Sequence, residues 1–81
     1  MIKIYGTPNC SYCKKAKKIC EDNNLQYKYL TVNVEVSVEQ LSEMAGFPVK
    51  KVPQIFITEG GFTEYVGGFT ELESRILNSS L

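Results

Sequence analysis

The stretch Thr7-Pro8-Asn9-Cys10-Ser11-Tyr12-Cys13 decides how this 81-residue chain folds, because the hydrophobic period changes from one side of it to the other. Residues 1–5, before it, alternate apolar and polar side chains, which is typical of a strand. Over residues 11–23, small apolar residues recur at spacings of three and four among lysines, which is typical of an amphipathic helix. Cys10 and Cys13 are therefore predicted to lie where a strand passes into a helix.

Further along the chain, the patterns predict three more strands. They are expected over residues 26–32, 53–58 and 62–66, and Glu59-Gly60-Gly61 joins the last two as an antiparallel hairpin. The first two strands of the chain enclose a helix, so they should be parallel and joined by a right-handed crossover.

Two capping boxes predict where the remaining helices begin. Ser37-x-x-Gln40 opens a short helix that Gly46 ends, and Thr70-x-x-Glu73 opens the final helix. The residues expected to face the core are Val38, Leu41 and Ala45 in the short helix and Leu72, Ile76 and Leu77 in the final one. The order βαβ, helix, ββα predicts an α/β fold with a mixed four-stranded sheet and helices on both faces. We expect one domain over residues 1–81.

The cysteine pair indicates redox chemistry. A C-x-x-C motif beside a βαβ pattern is typical of thiol–disulfide exchange proteins. At the start of a helix, Cys10 would face unpaired backbone N–H groups and the positive end of the helix dipole, and both lower the pKa of a thiol. Cys10 is therefore the predicted nucleophile. Cys13, one turn further, is predicted to resolve the mixed disulfide.

The third cysteine, Cys20, is predicted to be a small buried residue without a redox role. It lies seven residues after Cys13 on the same helix, a rise of about 10 Å, whereas a disulfide spans about 7 Å between Cα atoms. A structural zinc site is disfavoured because the chain has no histidine and Cys20 is its only other cysteine. We therefore expect no metal site.

The composition limits the partners. Nine basic and nine acidic residues give a net charge of zero, which favours neither a nucleic acid nor a membrane surface as a partner. No apolar run approaches the roughly 18 residues of a membrane span, and the first residues lack the features of a signal peptide. We expect a cytoplasmic monomer whose cysteines are kept reduced.

Three blocks of sequence resemble the glutaredoxin family. They are residues 7–13, Val52-Pro53-Gln54-Ile55-Phe56-Ile57 and Gly67-Gly68-Phe69-Thr70-Glu71-Leu72, and they occur in the family's order and spacing over essentially the whole chain. The likeness is strongest to the short dithiol members of bacteria and their phages. It implies a thioredoxin-like fold in which Pro53 is cis and lies beside the cysteines.

The resemblance also implies a glutathione site. The Val52 backbone would pair with the glutathione cysteine, and the N-terminus of the last helix would bind the γ-glutamyl carboxylate. The implied residues are Tyr12, Lys51, Val52, Pro53, Gly68, Phe69, Thr70 and Glu71. Thr70 and Glu71 equally suit ordinary helix capping. Relatives often carry Lys or Arg where this chain has Thr7, so Lys51, or else Lys14, is the candidate cation for the glycyl carboxylate; a solvated Lys50-Lys51 pair is the alternative.

By resemblance, the chain is predicted to be a glutathione-dependent thiol–disulfide oxidoreductase. It would reduce glutathione mixed disulfides and protein disulfides, ribonucleotide reductase among them, with glutathione as co-substrate and no tightly bound cofactor. Two alternatives stay open. Some relatives with Ser at the Ser11 position hold a [2Fe–2S] cluster between two protomers, and a related electron donor is recharged by thioredoxin reductase.

Overall fold

The computed structural model describes residues 1–78. Within them, strands and helices follow the predicted order. The elements are β1 (Ile2–Gly6), α1 (Ser11–Asp22), β2 (Tyr27–Thr31), α2 (Val38–Ala45), β3 (Gln54–Glu59), β4 (Phe62–Gly67) and α3 (Phe69–Leu77). No helix among the described residues is both long and apolar enough to span a membrane.

The sheet is mixed, as predicted, with the strand order β2-β1-β3-β4. β1 pairs in parallel with β2 and antiparallel with β3, and β3 pairs antiparallel with β4. β1 is thus an inner strand, and its last residue, Gly6, leads directly into the loop that carries Cys10. The sheet therefore delivers the cysteine pair to one edge of the molecule.

Helices cover both faces of the sheet, which confirms the predicted layering. On one face, α1 and α3 pack on the sheet through a core of Ile2, Ile4, Ala16, Cys20, Ile55 and Leu72. On the other face, α2 packs through a second core of Tyr5, Val32, Leu41 and Phe56. Ala16 and Cys20 are fully buried, as the spacing in α1 predicted.

The first predicted capping box is confirmed. Ser37 Oγ accepts a hydrogen bond from the Gln40 N–H at 3.0 Å, and Gln40 Oε1 accepts from the Ser37 N–H at 2.9 Å. Gly46 ends α2 with a left-handed φ of 85°, a conformation that suits glycine because it lacks a Cβ. Val38 and Ala45 are partly buried around Leu41, so the predicted inner face of α2 is correct.

The second predicted capping box is wrong. α3 starts two residues earlier than Thr70 would place it, with Gly68 as the N-cap. Glu71 Oε1, rather than Glu73, accepts from the backbone N–H of the capping residue, at 2.7 Å. The helix starts here because β4 ends at Gly67 and leaves no intervening loop. Leu77 is also a wrong prediction: its side chain is 75% exposed, in the last turn of the helix.

Candidate active site

Cys10 occupies the N-cap position of α1, as the sequence predicts. Its Sγ accepts a hydrogen bond from the backbone N–H of Cys13 at 3.2 Å. The preceding loop is held by Tyr29, whose hydroxyl donates to the Thr7 carbonyl at 2.8 Å. Because an N–H group and the positive end of the helix both point at this sulfur, the site favours a thiolate at Cys10.

Cys10 and Cys13 are joined by a disulfide, with their Cα atoms 5.2 Å apart. Cys13 is fully buried, whereas Cys10 is partly exposed. An incoming disulfide can therefore reach Cys10 but not Cys13. This arrangement suits the predicted division between an attacking and a resolving sulfur.

Gly6 makes room for Cys13. A Cβ at this position would lie 2.6 Å from Cys13 Sγ and would also collide with the Tyr29 hydroxyl. The sequence marks Gly6 only as a turn former at the end of β1. Its contribution here is the close approach that it permits between strand and sulfur.

The Val52–Pro53 peptide bond is cis, which confirms the expectation from the resemblance. The Val52 carbonyl oxygen lies 3.8 Å from Cys10 Sγ. Within the described residues, the Val52 N–H has no hydrogen-bond partner. Val52 thus offers an acceptor beside the reactive sulfur and an unpaired backbone donor, and the two could pair with an extended peptide ligand.

Gln54 fixes the segment that carries Val52, a role that the sequence did not reveal. Its side chain is 3% exposed. Its amide N–H donates to the Lys51 carbonyl at 2.9 Å, and its amide oxygen accepts from the Tyr65 hydroxyl at 2.6 Å. The Lys51 carbonyl can only accept, so the amide nitrogen must face it and Tyr65 must donate.

Burial, and then the charge of Glu71, raises the pKa of the Tyr65 phenol, and the ordinary value of about 10 already lies far above neutral pH. The hydroxyl therefore remains a donor to Gln54 over the physiological pH range. The Lys51–Pro53 loop is in this way tied to strand β4 through two side chains.

The N-terminus of α3 lines the same site. The backbone N–H groups of Phe69 and Thr70, in its first turn, have no acceptor within the helix and can bind an anion. The Glu71 carboxylate caps this helix at Gly68. The capping role considered for Glu71 is therefore present, and its contact with glutathione remains a prediction.

A groove of about 710 Å³ connects the Val52 segment with the N-terminus of α3, and neither Cys10 nor Cys13 is among its lining residues. All eight residues expected at the glutathione site line it. Seven further residues line it that are not among those eight, namely Phe47, Pro48, Lys50, Gln54, Tyr65, Val66 and Gly67. Of the two candidate cations, Lys51 lines the groove and Lys14 does not. Lys15 lies over the Tyr12 ring, 4.7 Å from its centroid.

The chain matches the glutaredoxin family model over residues 2–62. It is similar to the glutaredoxin of Haemophilus influenzae, at 37% identity over 79 residues that cover 90% of this chain and 86% of that one. Among solved structures, reduced Escherichia coli glutaredoxin matches with a TM-score of 0.79 and 31% identity, covering 95% of this chain and 93% of that one. The buckwheat glutaredoxin–glutathione complex shares the fold, with a TM-score of 0.74, 21% identity and coverage of 96% and 69%.

Proposed function

The chain belongs to the glutaredoxin family, and on that premise we propose that it reduces protein disulfides and glutathione mixed disulfides with glutathione as its reductant. Thiol–disulfide exchange itself follows from the family and the Cys10–Cys13 pair. The proposal adds the reductant and the substrates. The observation that supports it most is Cys10 at the N-cap of α1, with Cys13 buried behind it.

The first half of the cycle oxidises the enzyme. The Cys10 thiolate attacks one sulfur of a substrate disulfide, and the other substrate sulfur leaves as a thiolate that takes a proton from solvent. The Cys13 thiol then loses its proton and attacks the Cys10 sulfur. This step releases the second substrate thiol and leaves the Cys10–Cys13 disulfide found in this structure.

The second half of the cycle reduces the enzyme. A glutathione thiolate attacks the Cys10 sulfur, forms a mixed disulfide and releases Cys13. A second glutathione attacks the glutathione sulfur of that mixed disulfide. Glutathione disulfide forms, and the Cys10 thiolate is restored.

Three features of the groove support glutathione as the ligand. The unpaired Val52 N–H and the Val52 carbonyl suit its extended cysteine backbone. The first-turn N–H groups of Phe69 and Thr70 suit the γ-glutamyl carboxylate. Lys51 is exposed on the groove wall and suits the glycyl carboxylate. The related buckwheat glutaredoxin has been solved in complex with glutathione.

The buried Cys13 can resolve a mixed disulfide with any protein whose sulfur reaches Cys10. Ribonucleotide reductase, which the family resemblance suggests, is the first candidate.

The test separates the two cysteines. With glutathione, NADPH and glutathione reductase present, Cys13→Ser should still reduce the mixed disulfide of glutathione and 2-mercaptoethanol, but it should lose activity on a protein disulfide. Cys10→Ser should lose both activities, and the buried control Cys20→Ser should keep both. Loss of both activities in Cys13→Ser would contradict the division of roles. Recharging by thioredoxin reductase instead of glutathione would contradict the proposed reductant.

Lys51 has a test of its own. Lys51→Ala should raise the KM for the glutathione mixed disulfide and leave kcat near the wild-type value, because it removes a charge that binds the ligand and not the reacting atoms. Lys28→Ala, an exposed lysine on β2 at the opposite edge of the sheet, is the control. An unchanged KM in Lys51→Ala would remove Lys51 from the site.

A further inference from the structure

Part of the active-site groove is lined by residues that the proposed glutathione site does not use. Among them are Phe47, which follows α2, and Tyr65, which lies on the edge strand β4. Their ring centroids are 5.4 Å apart in an edge-to-face arrangement. The Phe47–Tyr65 pair thus forms an aromatic wall between α2 and the sheet edge.

This pair is exposed but firmly supported. Phe47 is 42% exposed and Tyr65 is 37% exposed. Beneath them, the Tyr65 ring packs 5.2 Å from that of the buried Phe56, and the Tyr65 hydroxyl is hydrogen-bonded to the buried Gln54. Half-exposed aromatic rings held by the core are typical of the positions that dominate protein recognition, because little conformational entropy is lost when a ligand covers them.

The charge of the groove favours an acidic ligand. Lys50 and Lys51 are exposed on its wall. Among the described residues that line the groove, the one acidic side chain is Glu71, whose carboxylate accepts from the Gly68 N–H. The groove therefore presents more positive than negative charge to a ligand.

The Phe47–Tyr65 pair is connected to the reactive sulfur through Val52. Val52 lines the same groove, and its carbonyl oxygen lies 3.8 Å from Cys10 Sγ. A segment that pairs with Val52 in an extended conformation would bring its cysteine to Cys10 and its neighbouring side chains into the groove. We propose that the Phe47–Tyr65 pair binds an apolar side chain next to the reactive cysteine of a protein disulfide substrate. Lys50 would favour an acidic residue in the same segment.

This inference rests on the proposed reduction of protein disulfides, but the peptide comparison that tests it needs no glutathione. The probe is a synthetic peptide whose two cysteines form a disulfide. Phe is adjacent to the first cysteine, and Asp is adjacent to that Phe. In a matched peptide, Ser replaces Phe. Wild-type protein reduced beforehand is mixed with each peptide, and the rate of a single turnover is measured by stopped flow.

The reduced wild-type protein should react about five- to tenfold faster with the Phe peptide, a difference of the size expected for a contact between aromatic rings. Phe47→Ala should abolish this preference, and Phe47→Leu, which keeps an apolar side chain, should retain most of it. The matched control is Phe62→Ala, an aromatic residue that is 82% exposed at the start of β4 and lies outside the groove.

The acidic preference is tested in the same way. A third peptide carries Lys in place of Asp, and the wild-type protein should react with it more slowly. Lys50→Gln should reduce the difference between the Asp and Lys peptides, whereas Lys28→Gln should not.

A separate arm uses the mixed disulfide of glutathione and 2-mercaptoethanol, on which Phe47→Ala should act like wild type. The proposal is overturned if wild type shows no preference for the Phe peptide, if Phe47→Ala keeps the preference, or if Phe47→Ala slows both substrates equally. Failure of wild type on the glutathione substrate would contradict the proposed reductant instead. The peptide comparison would then still decide the aromatic subsite.

Discussion

Cys10 and Cys20 lie on one helix, but their surroundings act on the two thiols in opposite directions. At the N-cap of α1, the Cys10 sulfur accepts a hydrogen bond from the Cys13 N–H and lies at the positive end of the helix dipole. Both interactions favour the thiolate. Cys20 is fully buried in the core between α1 and the sheet. Burial, and then the charge of Glu21, raises the pKa of the Cys20 thiol to about 11. Cys20 should therefore be inert.

This difference predicts how the reduced protein reacts with iodoacetamide near neutral pH. Cys10 should be alkylated rapidly and Cys20 not at all until the protein is unfolded, because Cys20 is both protonated and inaccessible. Mass spectrometry of peptides, with and without urea, measures the label at each cysteine. Native labelling of Cys20 at a rate close to that of Cys10 would contradict the burial described here.

The raised pKa of Cys20 also predicts that the folded protein loses stability at alkaline pH. The pKa of a cysteine thiol in an unfolded chain is about 8.5, and burial raises that of Cys20 in the folded protein to about 11. Between these values the unfolded chain loses the proton while the folded chain keeps it, so unfolding is favoured as pH rises through this range. Cys20→Ala should lose less stability than wild type over this range in urea titrations. Equal losses of stability in the two proteins would contradict a raised pKa for Cys20 in the folded protein.

Helices α1 and α2 are predictable because the sequence signals that define them are local. The spacing of Cys13, Ala16 and Cys20 sets the buried face of α1, and the reciprocal hydrogen bonds of Ser37 and Gln40 set the start of α2. Both signals lie within a few residues along the chain. No distant contact is needed to interpret them.

The start of α3 is not predictable in this way. Two overlapping patterns, Gly68-x-x-Glu71 and Thr70-x-x-Glu73, each place a glutamate at the third helical position. Threonine is the more typical capping side chain of a capping box. The residue at which β4 ends decides between the two patterns, and the pairing of β4 with β3 determines that residue. The choice thus depends on tertiary structure.

The contact between Gln54 and Tyr65 is likewise invisible in the sequence. The β3–β4 register shifts between Ile55 and Phe56, and irregularities of this kind redirect side chains. Gln54 and Tyr65, which are eleven positions apart in the sequence, are then close enough to form a hydrogen bond. No local pattern marks such a pair, although a glutamine within a family motif is a reason to look for one.

Replacing Tyr65 with Phe should loosen the Lys51–Pro53 loop. The buried Gln54 carbonyl would lose its donor, at a cost of about 1–3 kcal/mol in the free energy of unfolding. The KM for the glutathione mixed disulfide should rise more than kcat falls, because the loop binds the ligand. Urea denaturation and steady-state kinetics measure the two effects.

The matched control for Tyr65→Phe is Tyr27→Phe. Tyr27 also donates its hydroxyl to a side-chain acceptor, Glu21, but on the protein surface. Tyr27→Phe should change the free energy of unfolding little and the KM for the glutathione mixed disulfide not at all. Equal effects from the two variants would mean that the Gln54 contact has no special part in holding the loop.

Across the whole molecule, the two hydrophobic cores share a single sheet. Leu72 of α3 is fully buried on one face and Leu41 of α2 on the other. The order of elements predicts this layering because a parallel crossover and a hairpin leave few other arrangements. The groove is harder to predict, since it collects residues from α1, from the segment after α2, from β4 and from α3. The family resemblance identifies some of these, but Phe47 and Tyr65 lie outside its motifs.

Because the cores share a sheet, damage to either should destabilise the whole domain. Leu41→Ala and Leu72→Ala should each lower the free energy of unfolding by about 2–5 kcal/mol. Fluorescence and circular dichroism should still report one common transition. Leu77→Ala, at a position that is 75% exposed, should stay within about 0.5 kcal/mol of wild type. Separate transitions for the two faces would contradict a single cooperative unit.

The most direct measurement is the titration of Cys10 in the Cys13→Ser variant, followed by the ultraviolet absorbance of the thiolate as pH changes. Cys20 should not interfere below pH 9, because its pKa is about 11. If the start of α1 activates Cys10, the midpoint will lie well below the ordinary cysteine value of about 8.5. A midpoint at or above that value would contradict the activation of Cys10 by its place at the helix N-terminus.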